Sequence, residues 1–199
     1  MNLYSQEIDV CFGELSNRQN LSIYEAKSIE VIKKKLKKYF TDTEVVVEEL
    51  GLASFHFKCK LIKEKLETFC NEANIQSKQA SILTVLSDTM KDLEKLHSKY
   101  LNDTKFLINN EIDKNILYQM TSVKVKDFLN KLKQAYEIQN INSHSIVFVE
   151  RRETAYVLNE ILNNLSDGEW SFIKSGFILG SNDDIIKMTS KDQVFVILF

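Results

Sequence analysis

The 199-residue chain contains no proline, only five glycines, three cysteines and one tryptophan. About 5% proline is usual, so several residues would be expected. Without proline nothing locks φ or removes a ladder donor, and helices can run long. Three of the glycines, Gly168, Gly176 and Gly180, lie near the C-terminus, so the breaks gather in the last quarter. Cys11, Cys59 and Cys70 are odd in number and scattered, which excludes a disulfide framework. On one straight helix Cys59 and Cys70 would be about 16 Å apart, too far for a bridge. They read as small buried hydrophobes in a reducing compartment. His56, His97 and His144 match no zinc spacing and are expected at the surface or its boundary.

No apolar run approaches the length of a membrane span, and MNLYSQEIDV is not a basic leader with an apolar stretch. A cytoplasmic protein without a membrane partner is therefore expected. Net charge is −2 from 26 Lys+Arg against 28 Asp+Glu, which excludes a strongly basic nucleic-acid binder but not a local basic face. The 44% hydrophobic content suffices for a core.

What is present is helical periodicity. Ser22 with Glu25 forms a capping-box pattern, and Ile29, Ile32, Leu36 and Tyr39/Phe40 follow at helical spacing to residue 40. Lys33, Lys34, Lys35, Lys37 and Lys38 crowd the predicted C-terminal end, where cations suit the helix dipole. They form a solvated face or a phosphate-contacting one. A second helix is expected from Asp42 or Thr43 to Cys70, with Val46, Leu50, Phe55, Cys59, Ile62, Leu66 and Phe69 apolar and Gly51 marking a kink or close contact. Further stripes predict helices over about 77–101 and 122–136, flanking an Asn/Asp-rich loop with a short helix. Antiparallel packing around one core is the natural solution.

After a polar linker at 138–144 the period changes. Ser145 to Glu150 reads as a strand buried on both faces. Arg151 and Arg152 follow it, then an amphipathic helix carrying Ala155, Leu158, Ile161, Leu162 and Leu165. A strand turning directly into a helix predicts one βα unit of a parallel sheet. Residues 170–179 offer the next strand. The apolar run 194–199 is expected to lack partner strands, suggesting a truncated or non-native end. Ligands of open α/β sheets bind beyond the carboxyl ends of strands. There a helix N-terminus and two guanidiniums suit an anion.

Ile146-Val147-Phe148-Val149-Glu150-Arg151-Arg152-Glu153-Thr154-Ala155, continued by Val157-Leu158, resembles the start of the second motor lobe of Dicer-type helicases. Phe177-Ile178-Leu179-Gly180 is similar to the string that follows there. Leu50-Gly51-Leu52 and the helices after it resemble the helical insertion of these helicases. Ser122-Val123-Lys124-Val125 with Phe128-Leu129 resembles the segment leading out of it, with Val123 in place of a proline. The resemblance covers roughly residues 29–180, and 146–158 carries most of its specificity.

It implies a mainly α fold: an antiparallel helical insertion domain over 1–140, followed by a partial α/β, RecA-like lobe over 145–199. It further implies a fragment of a Dicer-like endoribonuclease that engages double-stranded RNA in RNA interference. Arg151, Arg152 and Thr154 would contact the RNA backbone, and the helical part would dock a dsRNA-binding partner protein. The parent would use ATP and Mg²⁺. This chain has no phosphate loop, no Asp-Glu metal motif, no arginine finger and no ribonuclease III acidic cluster. ATP turnover or RNA cleavage by the chain alone is therefore not expected, and no catalytic residue or cofactor is assigned to it. The alternative is a helical protein-interaction module unrelated to helicases. A nucleotide-dependent transferase would need a nucleophile–base pair or metal cluster that the sequence does not supply.

Overall fold

The computed structural model describes residues 23–75, 80–139, 145–178 and 194–198. The fold is mainly helical, with six α-helices and five short strands among these residues. The chain divides into two compact units. One takes in Met1–Val45 and Lys58–Tyr100, the other Val46–Phe57 and Leu101–Phe199.

Helix α1 spans Ile23–Leu50, α2 Ser54–Ile75 and α3 Ala80–Thr104. The break expected near residue 42 is instead at Gly51. Thr41 and Thr43 lie inside the helix, where their hydroxyls donate to the carbonyls of Lys37 and Tyr39 at 3.0 and 2.7 Å instead of competing for a cap. Gly51 stops the helix at φ 93°, where a side chain would be strained. The lysine cluster therefore lies in mid-helix, and the dipole argument for it fails. Ser22 and residues 1–22 lie outside the described residues, as do 76–79 and Cys11.

In the first unit the helices run antiparallel. Lys35 and Tyr39 of α1 meet Phe69 of α2, while Tyr39 also meets Lys65. Lys63 of α2 bonds Glu94 of α3 at 2.7 Å. Leu36, Phe40, Ile62, Leu66, Leu86 and Leu93 are buried here. Deletion of one such leucine side chain typically costs about 2–5 kcal/mol. Cys59 is buried and its thiol is pushed up to about 12, chiefly by that burial.

The second unit begins around the Gly51 turn. After α3, Lys105 adopts a left-handed φ and leads into a hairpin of β1 (Leu107–Ile108) and β2 (Glu111–Ile112). Asn109 and Asn110 both have positive φ, the geometry a two-residue hairpin turn requires. Asp113 caps α4 (Lys114–Met120), accepting from the Ile116 amide at 3.0 Å. Ser122 then caps α5 (Val123–Gln139) through the Val125 amide. His56, expected at the surface, is buried between Phe57 and Phe106, with ring centroids 5.2 and 5.1 Å away. Its sequence offered no stripe to show this, because Phe106 approaches from fifty residues on.

Strand β3 (Ser145–Val149) leads into α6 (Arg152–Leu165), a 3₁₀ turn at Gly168–Trp170 and β4 (Ser175–Ile178). The final run forms β5 (Val194–Leu198). The sheet departs from the expected one in two ways. Strand β5 finds partners: it lies between β3 and β4 and is antiparallel to both. The neighbours are therefore not parallel, although β3 and β4 themselves point the same way across β5, a split βαβ arrangement. Nor is β3 buried on both faces. Ile146 and Phe148 are 56% and 61% exposed, while Ser145, Val147 and Val149 are half-buried on the alternate face. Helix α6 contacts all three strands, and its burial on the sheet accounts for its apolar arc. Leu179 and Gly180 lie outside the described residues.

Candidate functional site

The strand–helix turn on which the site is expected lies between β3 and α6. Arg151 is the extended N-cap residue, at φ −126° and ψ 139°. A guanidinium has donors but no acceptor, so it cannot cap the amides of the first turn as Ser or Asp would. The first turn of α6 carries Arg152, Glu153 and Thr154, and helical bonding starts with the Ala155 amide donating to the Arg151 carbonyl at 3.1 Å.

The three expected contact residues are close in sequence but not in environment. Arg151 and Arg152 are half-buried at the turn, but Nε and Nη2 of the Arg152 guanidinium are closed off from solvent. Thr154 is only 3% exposed and lies on the buried arc with Ala155, Leu158 and Ile161. Its hydroxyl donates to Glu49 Oε2 at 2.8 Å. It therefore faces the interior of its unit, not an RNA backbone. The helical period explains this, since three residues past the cap the chain has turned onto the sheet.

Glu49 was not legible as a site residue. It reaches the first turn of α6 across 105 residues of sequence. Its own backbone is held by the chain beyond α4. Ser122 Oγ donates to the Glu49 carbonyl at 2.8 Å, the Ser122 amide to the Leu50 carbonyl at 2.8 Å, and the Ala53 amide to the Met120 carbonyl at 3.1 Å. Gly51 permits this approach. A Cβ there would stand 2.3 Å from Ser122 N and 2.6 Å from Met120 O. Ser54 Oγ closes the turn by donating to the Gly51 carbonyl at 2.6 Å.

The lysine-rich part of α1 forms a different surface. Lys35 Nζ lies 4.9 Å from the Phe69 ring centre, and Lys65 Nζ lies 4.4 Å from that of Tyr39. The two rings stack at 6.2 Å and 20°. These lysines thus cover aromatic faces with stem and ammonium, each such pair contributing about 0.5–1 kcal/mol at exposed positions.

Among the described residues no group of three or more His, Cys, Asp or Glu could hold a metal ion, and no helix is long and apolar enough to cross a membrane. Comparisons of the chain with family models, with curated proteins and with solved structures found no match.

Proposed function

We propose that this chain is a non-catalytic piece of a Dicer-type helicase. In this reading the helices from α1 to α5 belong to its helical insertion, and β3 with α6 opens its RecA-like second lobe. It engages the backbone of double-stranded RNA and docks a dsRNA-binding partner protein in RNA silencing. The observation that supports the reading most directly is the passage from β3 into α6, with Arg151 at the cap and Arg152 in the first turn. Duplex RNA is recognised through phosphates and 2′-hydroxyls, which two guanidiniums suit. Thr154 is left out of the contact set because it is buried, and Arg151 leads the set because Nε and Nη2 of Arg152 are buried too.

The test is fluorescence anisotropy of a labelled RNA duplex titrated with the full chain at several salt concentrations. Affinity should fall steeply with salt. Arg151→Ala should weaken binding and reduce the salt slope by roughly one, and adding Arg152→Ala should weaken it at least as much. Absent or salt-insensitive binding by folded protein would refute the RNA contact. Failure to capture a dsRNA-binding protein from the same organism would count against the docking role.

A helical protein-interaction module unrelated to helicases is the second reading. The antiparallel β5 between β3 and β4 favours it, because a RecA-like lobe is built on parallel neighbours.

A further inference from the structure

We infer that Glu49 is the positioning residue that fixes the direction in which Arg151 enters α6, an inference that rests on the proposed RNA contact. Its backbone is clamped to residues 120–122 by the bonds from Ser122 to the Glu49 and Leu50 carbonyls and from Ala53 to the Met120 carbonyl. From this fixed base its carboxylate accepts the Thr154 hydroxyl at 2.8 Å. Thr154 is buried in the first turn of α6, three residues after Arg151. The N-cap side chain cannot accept a hydrogen bond, so a carboxylate from α1 supplies an anion at the positive end of α6. A charge-assisted hydrogen bond between two partly buried groups holds orientation better than an exposed contact.

Positioning by Glu49 has an effect opposite in sign to simple electrostatics. A carboxylate near a phosphate contact repels the ligand, so on charge alone Glu49→Ala should tighten RNA binding. If Glu49 positions the turn, Glu49→Ala weakens it. The expected loss is roughly three- to tenfold, the scale of one intramolecular hydrogen bond. Thr154→Val should give a loss of the same size. Thr154→Ser keeps the donor and should stay near the unsubstituted affinity, whereas Glu49→Gln keeps an acceptor but not the charge and should lose less than Glu49→Ala. Combining Glu49→Ala with Thr154→Val should cost no more than either alone, because both remove one contact.

Two readouts on the full chain decide the matter: affinity for an RNA duplex at fixed low salt, and amide hydrogen exchange across residues 152–158 without RNA. Faster exchange in Glu49→Ala and Thr154→Val, together with weaker binding, supports the inference. Tighter binding by Glu49→Ala, or unchanged exchange, overturns it. Should Glu49→Ala fail to fold, Thr154→Val against Thr154→Ser carries the same comparison. If the unsubstituted chain does not bind duplex RNA, the functional reading fails, and the exchange data alone decide whether the tie exists.

Discussion

Replacing Gly51 by alanine should be among the most damaging single-methyl additions this chain can suffer. The residue sits at φ 93°, and the new Cβ would fall 2.3 Å from Ser122 N and 2.6 Å from both Met120 O and Thr121 C. All three are backbone atoms, so no side chain can rotate away. A left-handed conformation alone costs an alanine about 1–2 kcal/mol. Relief of the clash requires the two backbones to part. That breaks the Ser122–Leu50 and Ala53–Met120 bonds, each worth about 0.5–1.5 kcal/mol. The total is roughly 2–5 kcal/mol. Gly168 provides the internal control. It also has positive φ, 51°, but nothing lies within 4 Å of its added Cβ. Gly168→Ala should therefore show only the conformational cost of about 1–2 kcal/mol. Urea denaturation followed by tryptophan emission suits the comparison, because Trp170 is the single tryptophan, is buried, and belongs to the same unit as Gly51. With an m-value of about 1–3 kcal/mol/M, the Gly51 variant should lose on the order of 1–2 M in midpoint. An effect no larger than that of Gly168→Ala would refute the close-approach argument.

Further outcomes concern titrating groups. His97 has its pKa held below the usual 6.5, first by burial and then by Lys60 and Lys63. The folded state therefore takes up its proton less readily than the unfolded chain. The stability this contributes is present above pH 6.5 and is lost as pH falls through the lowered folded value. Thermal midpoints measured across that window should drop on acidification, and His97→Gln should flatten the drop; an unchanged slope would count against the assignment. Burial pushes the Cys59 thiol up to about 12, and burial, then Glu67, raises Cys70. Under native conditions at mildly alkaline pH Cys59 should resist alkylation longer than the half-buried Cys70. Mass spectrometry after timed iodoacetamide treatment reads both, and faster labelling of Cys59 would show that its helix opens locally.

The periodic part of the fold was legible. Leu36, Val46, Leu50, Ile62 and Leu66 lie buried where their stripes place them, because helical spacing is a local property of sequence. The chain runs helical through Asp42 and Thr43, where a new helix is expected, because a possible N-cap side chain fits a helix interior by bonding back to it. Strand β3 and helix α6 were recognisable from the change of period, but the partners of β3 were not. Pairing with β5 joins Val149 to Val194, and an apolar pentapeptide carries no address for its neighbour. The candidate site divides in the same way. Arg151 and Arg152 follow from a local motif, whereas the burial of Thr154 and the approach of Glu49 depend on contacts across about a hundred residues.

That separation has a consequence for how the molecule is made. The turn at Gly51 is completed by Ser122, which lies 73 residues downstream of Glu49. At about 5–20 residues per second of synthesis, the stretch takes roughly 4–15 s to emerge. Throughout that interval the carbonyls of Glu49 and Leu50 lack the bonds that Ser122 makes in the folded chain. The last bond of the set arrives only when Thr154 does, so vectorial production builds this part of the protein in a compulsory order, with its latch closing at the end.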